Sequence, residues 1–238
     1  MPRDDHWLCA NEEIRLSGLH VAKRRSDWRL GRWTAKCAVA AYLGRADRTH
    51  PLRDIEIRSA PSGAPEVFLG GQAAGIALSL SHRDGTALGA VVAPGIAIGC
   101  DLELIEPRSD AFIADYFTTE EQALVASAPV LDRPVLLALL WSAKESALKA
   151  VGEGLRLDTR SVLVRADCCD ISGDSGRTPW DQWAQSSRCN SDSGHDGWRP
   201  LQVCYLSDGH SIRGWWQRRS NFILTLVADA PLLPPVSL

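Results

Sequence analysis

The chain has 238 residues, 45% of them hydrophobic and 23% charged, with a formal net charge of −3; that length buries a sizeable core as one large domain or two small ones. The near balance of charge excludes a global basic field for nucleic acid, and apolar runs such as Val135 to Leu140 are far too short to span a membrane. Seven scattered cysteines argue against a disulfide scaffold, and the charged start Met1-Pro2-Arg3-Asp4-Asp5-His6 lacks the apolar centre of a signal peptide, so a cytoplasmic protein is expected.

Along the chain, Ser26 to Leu43 reads as a long amphipathic helix. Leu30, Trp33, Cys37, Ala38, Ala41 and Tyr42 form its apolar side, while Arg25, Arg29, Arg32 and Lys36 recur on a basic face. Short strands follow at Ile55–Arg58 and Glu66–Leu69, the second closed by Gly70-Gly71. Ile76–Ser81 and Ala87–Ala93 read as a strand pair joined by a turn at His82-Arg83-Asp84-Gly85. A further strand runs from Ile96 to Glu103. Phe112 to Ser127 reads as helical, with Thr118 or Thr119 placed before Glu121 to cap a helix start. Arg133 to Val151 is a second long helix, stopped by Gly152 and Gly154. Beyond the strand Val162-Leu163-Val164, the stretch from Asp167 to Trp198 is rich in Ser, Asp, Gly and Cys and lacks periodicity, which predicts a mobile insertion. Strands return at Leu201–Tyr205 and Asn221–Ala228, before a tail with Pro231, Pro234 and Pro235. No internal repeat is visible at the level of residue identity.

Chemistry concentrates in two segments about forty residues apart. In Gly99-Cys100-Asp101-Leu102-Glu103 the two acids close a strand, and side chains two apart on a strand share a face. In Trp141-Ser142-Ala143-Lys144-Glu145-Ser146-Ala147-Leu148-Lys149 the positions Trp141, Glu145 and Lys149 fall at i, i+4 and i+8 of a helix. Asp101, Glu103 and Glu145 brought together make a hard oxygen site suited to Mg²⁺, and Lys149 adds a point charge for a phosphate. The pattern points to metal-assisted chemistry on a phosphate ester or anhydride. A zinc site from Cys168, Cys169, Cys189, His195 and Cys204 is not expected, because no Cys-x-x-Cys pair is present.

Both segments, in this order, resemble the signatures of the 4′-phosphopantetheinyl transferase superfamily: a Gly-x-Asp-x-Glu strand end, then a Trp-x-x-Lys-Glu-x-x-x-Lys helix. Every signature position is matched. The resemblance implies an α+β fold of the single-chain, Sfp-like type. In that type two similar halves are related by a pseudo-twofold, each a long helix on a small, mostly antiparallel sheet, with the active site in the cleft between them. Residues 1–98 would form the first half and 99–238 the second, the latter carrying the insertion 167–198. It further implies transfer of the 4′-phosphopantetheine arm of coenzyme A to a serine of an apo acyl or peptidyl carrier protein, with Mg²⁺, releasing 3′,5′-ADP. This is the holo-[acyl-carrier-protein] synthase type of reaction, and the single-chain form suggests carriers of nonribosomal peptide or polyketide synthesis. A monomer is expected, with neither nucleic acid nor membrane as partner.

Residue by residue, Asp101, Glu103 and Glu145 would hold the metal. Lys149, and with it Lys144, would offset charge on the departing phosphate. Tyr116-Phe117-Thr118-Thr119-Glu120-Glu121 is similar to the family segment whose acid reaches the site, which makes Glu121 a candidate general base; Glu145 and a hydroxide on the metal are the alternatives. Ser79-Leu80-Ser81-His82 resembles the family's Ser-x-Ser-His turn, implying phosphate contacts from Ser81 and His82. Arg32 and Lys36, with Arg29 behind them, are the further cations expected to meet coenzyme A. The chain departs from the family at Gly63-Ala64-Pro65, where a lysine often stands in the middle. Two rival readings are a Mg²⁺-dependent nucleotide phosphohydrolase and a catalytically silent carrier-protein binder. The full helix signature speaks against the first, and the presence of every metal ligand and Lys149 against the second.

Overall fold

In the computed structural model, residues 1–45, 51–152, 157–166, 181, 197–230 and 235 are described. The predicted insertion therefore lies outside the described residues, apart from Asp181, Gly197 and Trp198. The fold is α+β, built from two antiparallel sheets and two long helices. The first sheet has the order β1 (Ile55–Ser59), β2 (Pro65–Leu69), β3 (Gln72–Arg83), β4 (Thr86–Val92). The second sheet takes its strands from further along the chain: β5 (Ile98–Leu104), β6 (Val162–Ala166), β7 (Arg199–Tyr205), β8 (Ser211–Arg219) and β9 (Phe222–Ala228). They lie in the order β5-β9-β8-β7-β6, so β5 and β6 are its two edges among the described residues.

Helix α2 (Ala22–Tyr42) covers the first sheet. Its Ala35 and Val39 pack on Ile55, Ile57, Val67 and Leu78, all nearly excluded from water. Helix α5 (Arg133–Ala150) covers one face of the second sheet, where Leu136, Leu140, Ala143, Ala147 and Leu148 meet Val162, Val203, Ile223 and Val227. The other face of that sheet packs on the first sheet through Ala90, Ile98, Cys100, Leu226 and Ala228. Trp198 joins that layer beside Leu102 and Leu224 and is only 5% exposed. Trp198, which the sequence reading placed in the insertion, belongs to the core.

Several elements depart from the sequence reading. The expected turn at His82-Arg83-Asp84-Gly85 shrinks to Asp84-Gly85, both with positive φ (48° and 74°), the geometry that suits a two-residue hairpin. Ser81, His82 and Arg83 therefore sit on strand β3, not in a turn. The helix predicted over 112–127 is two helices, α3 (Asp110–Tyr116) and α4 (Thr119–Ser127), separated by extended Phe117. Thr118 caps α4, accepting from the Glu121 N–H while Glu121 returns a bond to the Thr118 N–H. Short helix α1 (Ala10–Ser17) and strand β8 were not anticipated. β8 buries Ile212, Gly214 and Trp216, with exposed Ser211 and Arg213 and half-buried Trp215 between them, but its arginines mask the pattern.

Candidate active site

Strand β5 and helix α5 approach unusually closely, and the sequence allows it at one residue. A Cβ on Gly99 would lie 1.8 Å from the Ser146 carbonyl oxygen and 2.8 Å from the Ala150 nitrogen. Below that contact the helix meets the sheet through small polar groups: the Ser142 and Ser146 hydroxyls lie 2.8 and 2.7 Å from the Thr225 hydroxyl. Pairing of Asp101 with Thr225 and of Glu103 with Ile223 places both acids on the α5 side of the sheet. Glu145 and Lys149, one helical turn apart, face them.

Asp101 is the centre of this arrangement and is 2% exposed. Its Oδ1 accepts from the Lys149 ammonium at 2.7 Å and from the Ser81 hydroxyl at 2.8 Å. Its Oδ2 is buried and has no hydrogen-bond partner. Lys149 also donates to the Cys100 carbonyl at 3.1 Å and lies 3.8 Å from Glu145 Oε2. Burial, then the charge of Asp101, pushes the Glu145 carboxyl up to about 7. The same two causes raise Glu103. Burial works against the Lys149 ammonium, but the Asp101 carboxylate more than offsets this and its pKa is raised.

Alternate residues of β3 run along the free edge of β5. Ser79 accepts from the Cys100 N–H at 2.9 Å, satisfying an edge donor that no described strand pairs. Ser81 reaches Asp101, and Arg83 reaches Glu103 at 2.9 Å. Arg108 also binds Glu103, at 3.0 Å. The sequence reading missed Ser79, Arg83 and Arg108 as site residues. The i, i+2, i+4 spacing of the first two with Ser81 was the available signal, hidden by treating Arg83 as part of a turn. With these cations interleaved among the acids, no three acidic, histidine or cysteine side chains form a metal cage among the described residues. The donor set still fits a hard divalent cation. It offers the carboxylates of Glu103 and Glu145, both raised by burial and then by the Asp101 charge, and an orphaned, buried Asp101 oxygen.

Other expected site residues stand elsewhere. Lys144 and Glu121 are fully buried against each other at 2.8 Å. Lys144 donates to the carbonyls of Thr159 and Val162, and Glu121 accepts from the Val164 N–H. Both therefore seal the β6 edge, at the opposite side of the sheet from β5. Burial outweighs the pairing, raising Glu121 and lowering Lys144. This corrects the expectations of a general base at Glu121 and a coenzyme contact at Lys144: neither side chain has an open face.

The basic face of α2 is likewise committed, mostly to the N-terminal segment. Arg29 binds the Asp5 carboxylate at 2.8 Å and donates to the carbonyls of Pro2, Arg3 and Asp4. Lys36 is buried, 2.5 Å from Glu12, and donates to the Trp7 carbonyl. Both corrections have one cause: the unanticipated first helix and its lead-in cover this face. Arg32 is less committed: its Nε is buried without a partner, an Nη donates to the Ser59 hydroxyl at 3.5 Å, and its guanidinium lies 5.1 Å over the Trp28 ring. Exposed His82 points to the α2 side of β3, beside Gly31, while Ser81 turns to Asp101. Trp141 packs edge-on against Phe112 and Tyr116, tying α3 to α5.

Comparison with known proteins points to one family. The model of the 4′-phosphopantetheinyl transferase superfamily matches residues 97–204. The chain is 30% identical over 152 residues to 4′-phosphopantetheinyl transferase HetI of Nostoc sp. (strain PCC 7120), covering 62% of this chain and 61% of that protein. It is 34% identical over 86 residues to holo-[acyl-carrier-protein] synthase of Anoxybacillus flavithermus, covering 36% of this chain and 71% of that protein. A segment of 74 residues is 42% identical to fatty acid synthase subunit alpha of Schizosaccharomyces pombe, covering 26% of this chain and 4% of that protein. The chain thus spans about three fifths of the length of HetI and a small part of the synthase subunit.

Proposed function

The chain belongs to the 4′-phosphopantetheinyl transferase superfamily, and from that premise we propose that it transfers the phosphopantetheine arm of coenzyme A to a serine of an apo acyl or peptidyl carrier protein. 3′,5′-ADP is the second product. The observation that carries the reading is the junction at Gly99. There β5 and α5 close on each other, so that Asp101, Glu145 and Lys149 share one pocket of charge with an unsatisfied acid oxygen. Residues 1–98 and 99–238 would be the two halves of a pseudo-twofold fold, with the substrates between them.

Asp101, Glu103 and Glu145 would hold Mg²⁺, which supplies Lewis-acid neutralisation of the coenzyme A diphosphate. Ser81 fixes the orientation of Asp101 through its hydroxyl. Lys149 is the cation nearest the acids on the helix side and meets the charge that grows on the leaving phosphate, an electrostatic role that needs no covalent chemistry. Arg32, with its unpartnered Nε, and exposed His82 serve the nucleotide end of coenzyme A. With Glu121 sealed in the core, Glu145, beside Asp101 and Lys149, is the remaining side-chain candidate to take the serine proton. Relatives whose names include a fatty acid synthase and an acyl-carrier-protein synthase support a carrier domain as the acceptor.

The test is Lys149→Met assayed with a panel of apo carriers. Because the leaving group gains its charge in the transition state, kcat should fall far more than coenzyme A affinity. An equal loss in both would refute the assigned role.

A further inference from the structure

Two arginines that the transferase reading does not employ meet the same two acids. Arg83 Nη1 lies 2.9 Å from Glu103 and its Nη2 lies 2.7 Å from Glu106. Arg108 repeats both contacts, with Nη2 3.0 Å from Glu103 and Nη1 3.2 Å from Glu106. The duplication is not symmetric. Arg108 is 19% exposed and its guanidinium lies 5.0 Å over the Phe112 ring, which in turn packs on Trp141. Arg83 is 34% exposed and closes the β3 strand. Removing Arg83 from its partners would leave Glu103 and Glu106 each still paired with Arg108, so no acid is stranded. Removing Arg108 would strip a packed cation from the half-buried turn after β5.

Arg83 also points where an anion would arrive. It shares a face of β3 with Ser81, two residues earlier, and Ser81 donates to Asp101. Side chains two apart on a strand are separated by about 7 Å, within the span of an extended guanidinium. From the other side, Lys149 reaches Asp101 out of helix α5. A group bound at Asp101 is therefore flanked by one cation from the helix and one from β3.

We infer that Arg83 is a substrate-anion residue, which exchanges Glu103 and Glu106 for the diphosphate of coenzyme A while Arg108 remains as the fixed counter-ion of both acids. The inference rests on the transferase reading for the identity of the anion. Arginine suits the task because its planar fork binds phosphate oxygens in pairs, where lysine offers a point charge.

The experiment compares Arg83→Gln, Arg83→Lys and Arg108→Gln with the wild-type chain. Calorimetric titration with coenzyme A and with 3′,5′-ADP gives affinity, and thermal melts give stability. Arg83→Gln should weaken coenzyme A binding by about tenfold or more, the scale of losing a charge-assisted pair of hydrogen bonds. Its melting temperature should hold, and Arg83→Lys should recover part of the affinity. Arg108→Gln should instead lower the melting temperature. Wild-type coenzyme A affinity in Arg83→Gln overturns the inference alone, as does a melting loss equal to that of Arg108→Gln. A wild-type chain that binds no coenzyme A overturns both this inference and the transferase reading.

Discussion

Gly99→Ala is the smallest change that should break the site, because it adds one methyl where β5 and α5 touch. The new Cβ would sit 1.8 Å from the Ser146 oxygen and 2.8 Å from the Ala150 nitrogen. Ordinary contact begins near 3.4 Å, so the helix backbone must retreat by about 1.6 Å. Both obstacles are backbone atoms of one helix, so no side chain can swing away. Overpacking of this kind costs about 1–3 kcal/mol and sometimes more, and a clash with two main-chain groups belongs at the upper end. The retreat also carries Glu145 and Lys149 away from Asp101, opening the 2.7 Å ammonium–carboxylate contact. Misplacement by about 1 Å can cost about a hundredfold in rate. Urea unfolding should therefore show a loss of about 3 kcal/mol, and turnover of the folded fraction should fall by about two orders of magnitude. A variant with wild-type stability and turnover would refute the reasoning that the glycine is there to let helix and strand meet.

Three further outcomes follow from the geometry. The carboxyl of Glu145, raised to about 7 from an ordinary 4.5, contributes stability that is fully present below the unfolded pKa and is lost as pH rises through 7. The metal-free chain should lose up to about 3 kcal/mol between pH 5 and 8 relative to Glu145→Gln, and parallel pH profiles of the two unfolding midpoints would contradict this. Lys144→Met strands buried Glu121 and should destabilise by about 3–5 kcal/mol, while Lys144→Met with Glu121→Gln should recover much of the loss; a catalytic role would instead show as lost turnover at unchanged stability. Arg32→Ala and His82→Ala should raise KM for coenzyme A more than for dephospho-coenzyme A, and equal effects on both would show that neither meets the 3′-phosphate.

Much of the site was legible because its chemistry is local in sequence. Asp101 and Glu103 lie two apart on a strand, and Glu145 and Lys149 four apart on a helix. Periodicity thus fixed which faces they share, whereas the close approach at the motif glycine emerged only from the structure. Periodicity does not say what covers a face. Arg29 and Lys36 have the spacing of an exposed basic stripe, yet Asp5, Glu12 and the carbonyls of residues 2–4 and 7 lie over it. That cover depends on a short helix whose Glu12 is buried, a residue type that patterning assigns to solvent. Lys144 and Glu121 were misplaced for a related reason. Lys144 stands just before Glu145 on the helix and points about 100° away from it, toward the far edge of the sheet, where Glu121 of α4 is its partner.

The most direct test of the proposed transfer is the intact mass of an apo carrier protein after incubation with coenzyme A, Mg²⁺ and the chain, run beside Asp101→Asn. The expected result is a carrier heavier by one phosphopantetheine arm with the wild-type chain, dependent on the metal and nearly absent with the variant. An unmodified carrier across acyl and peptidyl types, or full modification by Asp101→Asn at limiting Mg²⁺, would contradict it.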